Sequence, residues 1–144
     1  GSRRLLRRDQ LVRQWTEAYA RTLEPALDMA RFAEPSPKWW KHADLAPYAA
    51  QWGGETAAAI LHRHLVPERT IIYAEKLPTR MVSQHRLKPD PDGPIVLRQR
   101  FWHFETEQIR GDIVPPLLVY ADLVTGGDAR SLEAARKIRD EYLD

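Results

Sequence analysis

Apolar and polar residues along this chain fall into blocks of different period, punctuated by proline and glycine. Leu11, Trp15, Tyr19 and Leu23 stand four apart with Val12 and Ala18 beside them, the spacing of an amphipathic helix over about Asp9–Leu23 that stops at Pro25. Leu27, Met29 and Arg31 alternate with Asp28, Ala30 and Phe32 between Pro25 and Pro35, which predicts a short strand. Ser36, Pro37 and the adjacent Trp39 and Trp40 predict a short helix or turn with proline in its first turn. Neighbouring tryptophans cannot share one helical face, so one should enter the core while the other covers a neighbouring element or lines a groove.

Two glycines, Gly53 and Gly54, follow Trp52 and precede the alanine-rich run Thr56–Leu61. They predict a tight start to a helix that continues to about Leu65 and stops before Pro67. Glu55 stands in its first turn, where a carboxylate suits the helix dipole. Three strands are expected next, over Thr70–Ala74, Met81–Leu87 and Ile95–Phe104. The turn-rich Pro89–Pro94 joins the last two as an antiparallel hairpin, and the polar Glu105–Asp112 reads as a loop.

The closing segment is the most sharply written. Pro115 and Pro116 suit a first helical turn, Gly126 a left-handed stop, and Asp128 the N-cap of a second helix. In that helix Leu132, Ala135, Ile138, Tyr142 and Leu143 recur at helical spacing. Leu117–Val124 is equally apolar as a buried strand, and periodicity leaves both forms open. The assembled expectation is an α+β fold: a mainly antiparallel or mixed sheet of about four strands, with packed helices at both chain ends.

Composition narrows the chemistry. A chain of 144 residues is the size of one domain with one core, and residues 3–144 are expected to form it, Gly1-Ser2 reading as a tag remnant. A formal charge of +2 gives no whole-molecule attraction to nucleic acid, although the pI is about 9.1, so local patches must carry such a claim. Without cysteine there is no disulfide, thiolate catalysis or cysteine-ligated zinc. No apolar run approaches the ~18 residues of a membrane span.

Motifs for metal, nucleophile and nucleotide chemistry fail. His62 and His64 are two apart, on different helical faces, and the other histidines are scattered; a helical zinc pair needs three or four. There is no nucleophile elbow, phosphate loop or dinucleotide fingerprint. Glu75-Lys76 lacks the spacer that would put both side chains on one strand face, as a metal-dependent nuclease requires. Asp122 sits in an apolar run, where a buried acid needs partners; a brace to Arg130 or to the Gly126-Gly127 turn is the expected use. For nucleic acid, Arg3, Arg4, Arg7 and Arg8 crowd the N-terminus, while Arg98 and Arg100 share a strand face with Trp102. Such a face could track phosphates, or be an ordinary solvated surface.

Taken in order, Trp39-Trp40, Trp52-Gly53-Gly54-Glu55-Thr56-Ala57-Ala58, Thr70-Ile71-Ile72-Tyr73, Phe101-Trp102, Pro115–Leu123, Gly127–Arg130 and Glu133–Arg136 resemble the AbiEi-type antitoxin and transcriptional-regulator family of type IV toxin–antitoxin systems. The resemblance runs from about Trp15 to Leu143. It implies a bacterial cytoplasmic regulator, normally with a winged helix-turn-helix ahead of a larger C-terminal domain, of which this chain corresponds to the second part. It also implies operator DNA as a partner, read mainly by that upstream domain, and a nucleotidyltransferase-like toxin that is opposed without being clamped. No catalytic residue, cofactor or metal is carried over. The family-motif positions are Trp39, Trp40, Gly53, Gly54, Glu55, Tyr120, Asp122, Asp128 and Arg130. Gly-Gly opening a helix beside a strand is similar to a nucleotidyltransferase loop, so a degenerate, inactive version of that core is a further expectation. The competing functions are a magnesium-dependent enzyme using Glu55, Glu75 or Asp122, and a sequence-independent nucleic-acid binder.

Overall fold

The computed structural model describes residues 2–23, 27–62, 66–101 and 111–143. The first helix, α1 (Ser2–Ala18), ends in a π-helical turn over Tyr19–Leu23. Trp15 stacks on Tyr19 with ring centres 5.4 Å apart, and Tyr19 is fully buried whereas Leu11 is exposed. The amphipathic stripe therefore docks only through its last turns.

Strand β1 (Asp28–Ala33) follows, then single helical turns at Trp39–Lys41 and Ala46–Tyr48. Next come β2 (Ala50–Gly53), α2 (Gly54–His62) and β3 (Thr70–Ala74). Helix α3 (Thr79–Gln84), β4 (Lys88–Pro89) and β5 (Ile95–Gln99) lead to the paired helices α4 (Pro116–Gly126) and α5 (Ala129–Ile138). A second π-helical turn, Arg139–Leu143, closes the chain. The fold is α+β, with helices at both ends of a five-stranded mixed sheet in the order β2-β3-β5-β1-β4. Strands β3 and β5 run parallel, and the other strand pairings are antiparallel.

The register separates the two faces. Opposite residues in paired strands share a face and neighbours along a strand do not, so Gly53, Ile71, Tyr73, Val96 and Arg98 line one side, and Trp52, Ile72, Ala74, Ile95 and Leu97 the other. The outer edge of β2 is covered by the chain arriving at α4: Trp52 receives and returns backbone bonds with Asp112 (2.7 Å) and Val114 (3.0 Å). At the other edge the chain passes from β4 to β5 across the backbone of β1. A Cβ on Gly93 would lie 2.1 Å from the Phe32 carbonyl oxygen, so that crossing admits only glycine.

Several expectations change. Met81–Leu87 is not a strand and makes no hairpin with Ile95–Phe104: its first residues belong to α3, with Met81 fully buried. Its weak alternation also fits one helical turn, and β5 finds its partners in β3 and β1. Leu117–Val124 is helical, started by Pro115, whose carbonyl accepts from Leu118 and Val119. The left-handed stop is Gly127, at φ 77°, rather than Gly126. Asp128 does cap α5, its Oδ1 accepting from Ser131 N–H at 2.6 Å. Leu132 is exposed, and Ala134, Ala135 and Ile138 form the inner face instead. The predicted ends of α2 at Leu65 and of β5 at Phe104, with most of the 105–112 loop, lie outside the described residues. Among the described residues no helix is long and apolar enough to cross a membrane.

Candidate functional site

Four elements converge on one buried acid. Tyr73 and Arg98 are register partners in the parallel pair β3/β5, which puts both side chains on the face beneath α4. Helix α4 carries Asp122 onto that face, and the π-helical turn after α1 brings Tyr19. A β-bulge completes the set. Asp28 pairs with Arg98 while Ala30 pairs with Leu97, so Met29 is the extra residue. Without it, Met29 would stand opposite Arg98 and Asp28 would point to the other face.

Asp122 Oδ1 accepts from Tyr19 Oη at 2.6 Å and from Arg98 Nη1 at 3.0 Å, and Oδ2 accepts from Tyr73 Oη at 2.8 Å. Arg98 Nε donates to Asp28 Oδ1 at 2.7 Å, and its Nη1 also reaches Tyr19 Oη at 3.2 Å. The two tyrosine oxygens lie 2.5 Å apart. Two hydroxyl protons serve these three short oxygen–oxygen contacts, and between the tyrosines either hydroxyl can be the donor. Burial and the Asp122 charge both push the Tyr19 and Tyr73 hydroxyls well above the usual tyrosine range. Burial works against the Arg98 charge, but Asp122 and the two tyrosines more than offset it, and its net shift is upward.

The same acid borders a cavity of about 170 Å³, lined also by Gly54, Glu55, Arg69, Asp128 and Ser131. Both glycines are shaped by this corner. A Cβ on Gly53 would stand 3.0 Å from the Tyr73 ring and 3.5 Å from Asp122 Oδ2; Gly54 has φ +54° and Ile71 at 3.0 Å. Glu55 accepts from Arg130 Nη2 at 2.7 Å and from the Arg69 N–H at 3.1 Å. Arg130 also lies 3.4 Å from Glu68 and donates to the Val66 carbonyl. Burial raises the Glu55 carboxyl above its ordinary value despite Arg130. The Asp128 carboxyl is lowered by its bond from Ser131.

The structure thus brings Gly53, Gly54, Glu55, Asp122, Asp128 and Arg130 to one corner. Trp39 and Trp40 lie in another cluster: Trp39 is buried edge-on against Trp52 at 5.5 Å, while Trp40 is half-buried with Lys41 Nζ 5.7 Å from its ring. Tyr120 is half-buried against the core. Asp122 is a hydrogen-bonded brace, but to Tyr19, Tyr73 and Arg98 rather than to Arg130 or the Gly126-Gly127 turn.

Arg98 requires a correction as a nucleic-acid contact. It is 1% exposed, because the strand face carrying it lies under α4 and not in solvent. Arg100 lies beyond the end of β5, its N–H donating to the Ala74 carbonyl at 2.8 Å. Arg80 belongs to α3, with His85 and Arg86 just after it, and Trp102 is outside the described residues. Arg3, Arg4, Arg7 and Arg8 fall on α1 as two i, i+4 pairs. Sequence reasoning missed Tyr19 and Tyr73 as site residues, treating them as apolar. Their signal was a hydroxyl-tipped ring in each of two inward-facing runs, in a chain that also buries an acid.

Of the acids considered for magnesium, Glu55 and Asp122 share the cavity and Glu75 is exposed beyond the end of β3. Among the described residues no group of three or more His, Asp or Glu could hold a metal ion.

Fold and site together define the class: an α+β unit whose innermost charged groups tie helices to a sheet. The chain belongs to the AbiEi antitoxin family, transcriptional regulators of type IV toxin–antitoxin systems, whose family model matches residues 4–144. No curated protein and no solved structure matches the chain.

Proposed function

We propose that this domain acts without catalysis, as the scaffold of a bacterial cytoplasmic antitoxin that opposes a nucleotidyltransferase-like toxin without clamping it. In this reading a winged-helix unit ahead of the domain reads operator DNA, α1 carries the connection, and Arg3, Arg4, Arg7 and Arg8 add contacts to phosphate. The observation that supports it is the use made of Asp122. Both its oxygens accept hydrogen bonds, so the acid best placed for chemistry joins α1, β3, β5 and α4 instead.

Co-expression with the adjacent toxin gene tests this. A full-length protein should restore growth and repress its own promoter, and Glu55→Gln and Glu75→Gln should do both as well as wild type. Loss of rescue in either variant with an unchanged Tm would favour the magnesium-dependent enzyme instead. For the arm, replacing the four arginines by glutamine should flatten the dependence of log affinity on log salt by about three to four units. An unchanged slope would remove α1 from the DNA contact.

A further inference from the structure

The geometry points to the groove between α3 and the β1/β4 edge as a docking site for an acidic, aliphatic peptide segment of another protein. The groove is about 590 Å³ and lies away from the buried network. Phe32, Leu77, Val82 and Leu87 give it an apolar floor and wall, and Leu77 is 43% exposed. Around them stand Arg31, Arg86 and Lys88, all exposed, and no carboxylate lines the groove.

Among the described residues none of those three cations has a carboxylate partner. Arg31 is held in place by a neutral group, its Nε and Nη2 donating to the Gly93 carbonyl at 3.0 and 2.8 Å. Its position is fixed and its charge is left for a ligand.

Arg86 carries a second signal. Helix α3 closes with Leu87 N–H bonded to the Val82 carbonyl at 2.9 Å and Arg86 N–H to the Ser83 carbonyl at 3.2 Å. This is the Schellman pattern, whose left-handed position glycine fills without strain. Here arginine fills it, at φ 54°. A side chain there is conformationally unfavourable and is most simply understood through what its charge does. The same motif brings Leu87 and Val82 together as part of the groove lining.

An uncompensated basic rim around an apolar floor selects carboxylates at the edge and aliphatic side chains at the centre. Duplex DNA would use the rim but leave the floor in contact with nothing, since its backbone is read by open charged stripes. The occupant is therefore a peptide in which Asp or Glu alternates with residues such as Leu or Val.

The test titrates the full chain with a fluorescein-labelled peptide of about ten residues alternating glutamate with leucine and valine. Saturable binding is expected, with amide shifts gathered on residues 30–32 and 77–89. The same peptide with lysine in place of glutamate should not bind. Arg86→Gly should weaken binding about tenfold while holding or raising Tm, because glycine suits the left-handed position. That variant separates recognition from folding. Leu77→Ser, at an exposed site, should weaken binding through the floor instead. The inference is overturned if the acidic peptide does not bind, if both peptides bind alike, or if Arg86→Gly and Leu77→Ser each leave affinity within about twofold. It is equally overturned if a duplex oligonucleotide shifts the groove amides and displaces the peptide.

Discussion

The acids of two carboxylate–arginine pairs border the same cavity, and the pairs differ in what surrounds them. Asp122–Arg98 spans 3.0 Å between side chains 0% and 1% exposed; Glu55–Arg130 spans 2.7 Å between side chains 13% and 36% exposed. The shorter pair is expected to matter less. Water can replace either partner of the outer pair, so its net contribution is that of a surface ion pair, about 0–1 kcal/mol. The inner pair has already lost its water, and removing Asp122 deprives Arg98 of its buried counter-charge. Distance describes a contact, whereas the medium decides what its loss costs.

The largest effect should come from Asp122→Ala, which takes the buried carboxylate from Arg98 and the acceptor from both tyrosines. A loss of about 3–5 kcal/mol is expected in urea unfolding, a large share of a typical domain's total stability. Replacing Asp122 and Arg98 together by Leu and Met should be milder than the single change, since no unpaired charge then remains. If Asp122→Ala cost no more than Glu55→Ala, the contrast between the two pairs would collapse.

The next effect comes from the two tyrosines. Tyr19→Phe keeps the ring stacked on Trp15 but removes a donor to Asp122 and an acceptor for Arg98 Nη1; Tyr73→Phe removes a donor to Oδ2, and either change ends the contact between the two hydroxyls. Bonds to charged groups contribute about 1.5–3 kcal/mol, so each variant should lose about that much. Both hydroxyls are raised above the ordinary 10.0. A raised folded-state value means that the stability they give is complete below that pH and is lost as pH rises beyond it. Unfolding free energy should therefore fall on the alkaline side in wild type, and less steeply in either phenylalanine variant. Equal alkaline slopes in all three proteins would separate the tyrosines from the network.

How much of this was legible follows from which signals are local. The N-terminal helix, the last helix, β1, β3 and the Asp128 cap were readable, because period, proline and capping are written in consecutive residues. Helix α3 was not: six residues with one buried methionine fit a strand or a helical turn until their partners are known. Arg98 was misread for the same reason. Alternation says which residues share a face, but only α4 lying over that face makes it an interior. The bulge at Met29, which aligns Asp28 with Arg98, depends on the partner strand and leaves no mark in the local pattern. The closing motif did mark the acid that the fold buries, since Asp122 stood in an apolar run. Its partners came from residues 24 to 103 positions away, beyond the reach of spacing arguments.

The smallest effect carries an unexpected sign. Burial raises the Glu55 carboxyl above its ordinary value even with Arg130 at 2.7 Å, so the folded state favours the protonated form more than the unfolded state does. By linkage, stability is complete below the unfolded value of 4.5 and declines as pH rises through the folded one. Glutamine resembles the protonated acid and can still accept from the Arg69 N–H, so Glu55→Gln should match or exceed wild type at neutral pH. The gain should stay within about 1 kcal/mol, given the exposure of Arg130, and the two proteins should converge in acid. Thermal unfolding from pH 4 to 8 reads this directly. A variant less stable than wild type at pH 7 would mean that Arg130 outweighs burial, and the outer pair would then resemble the inner one more closely than its exposure suggests.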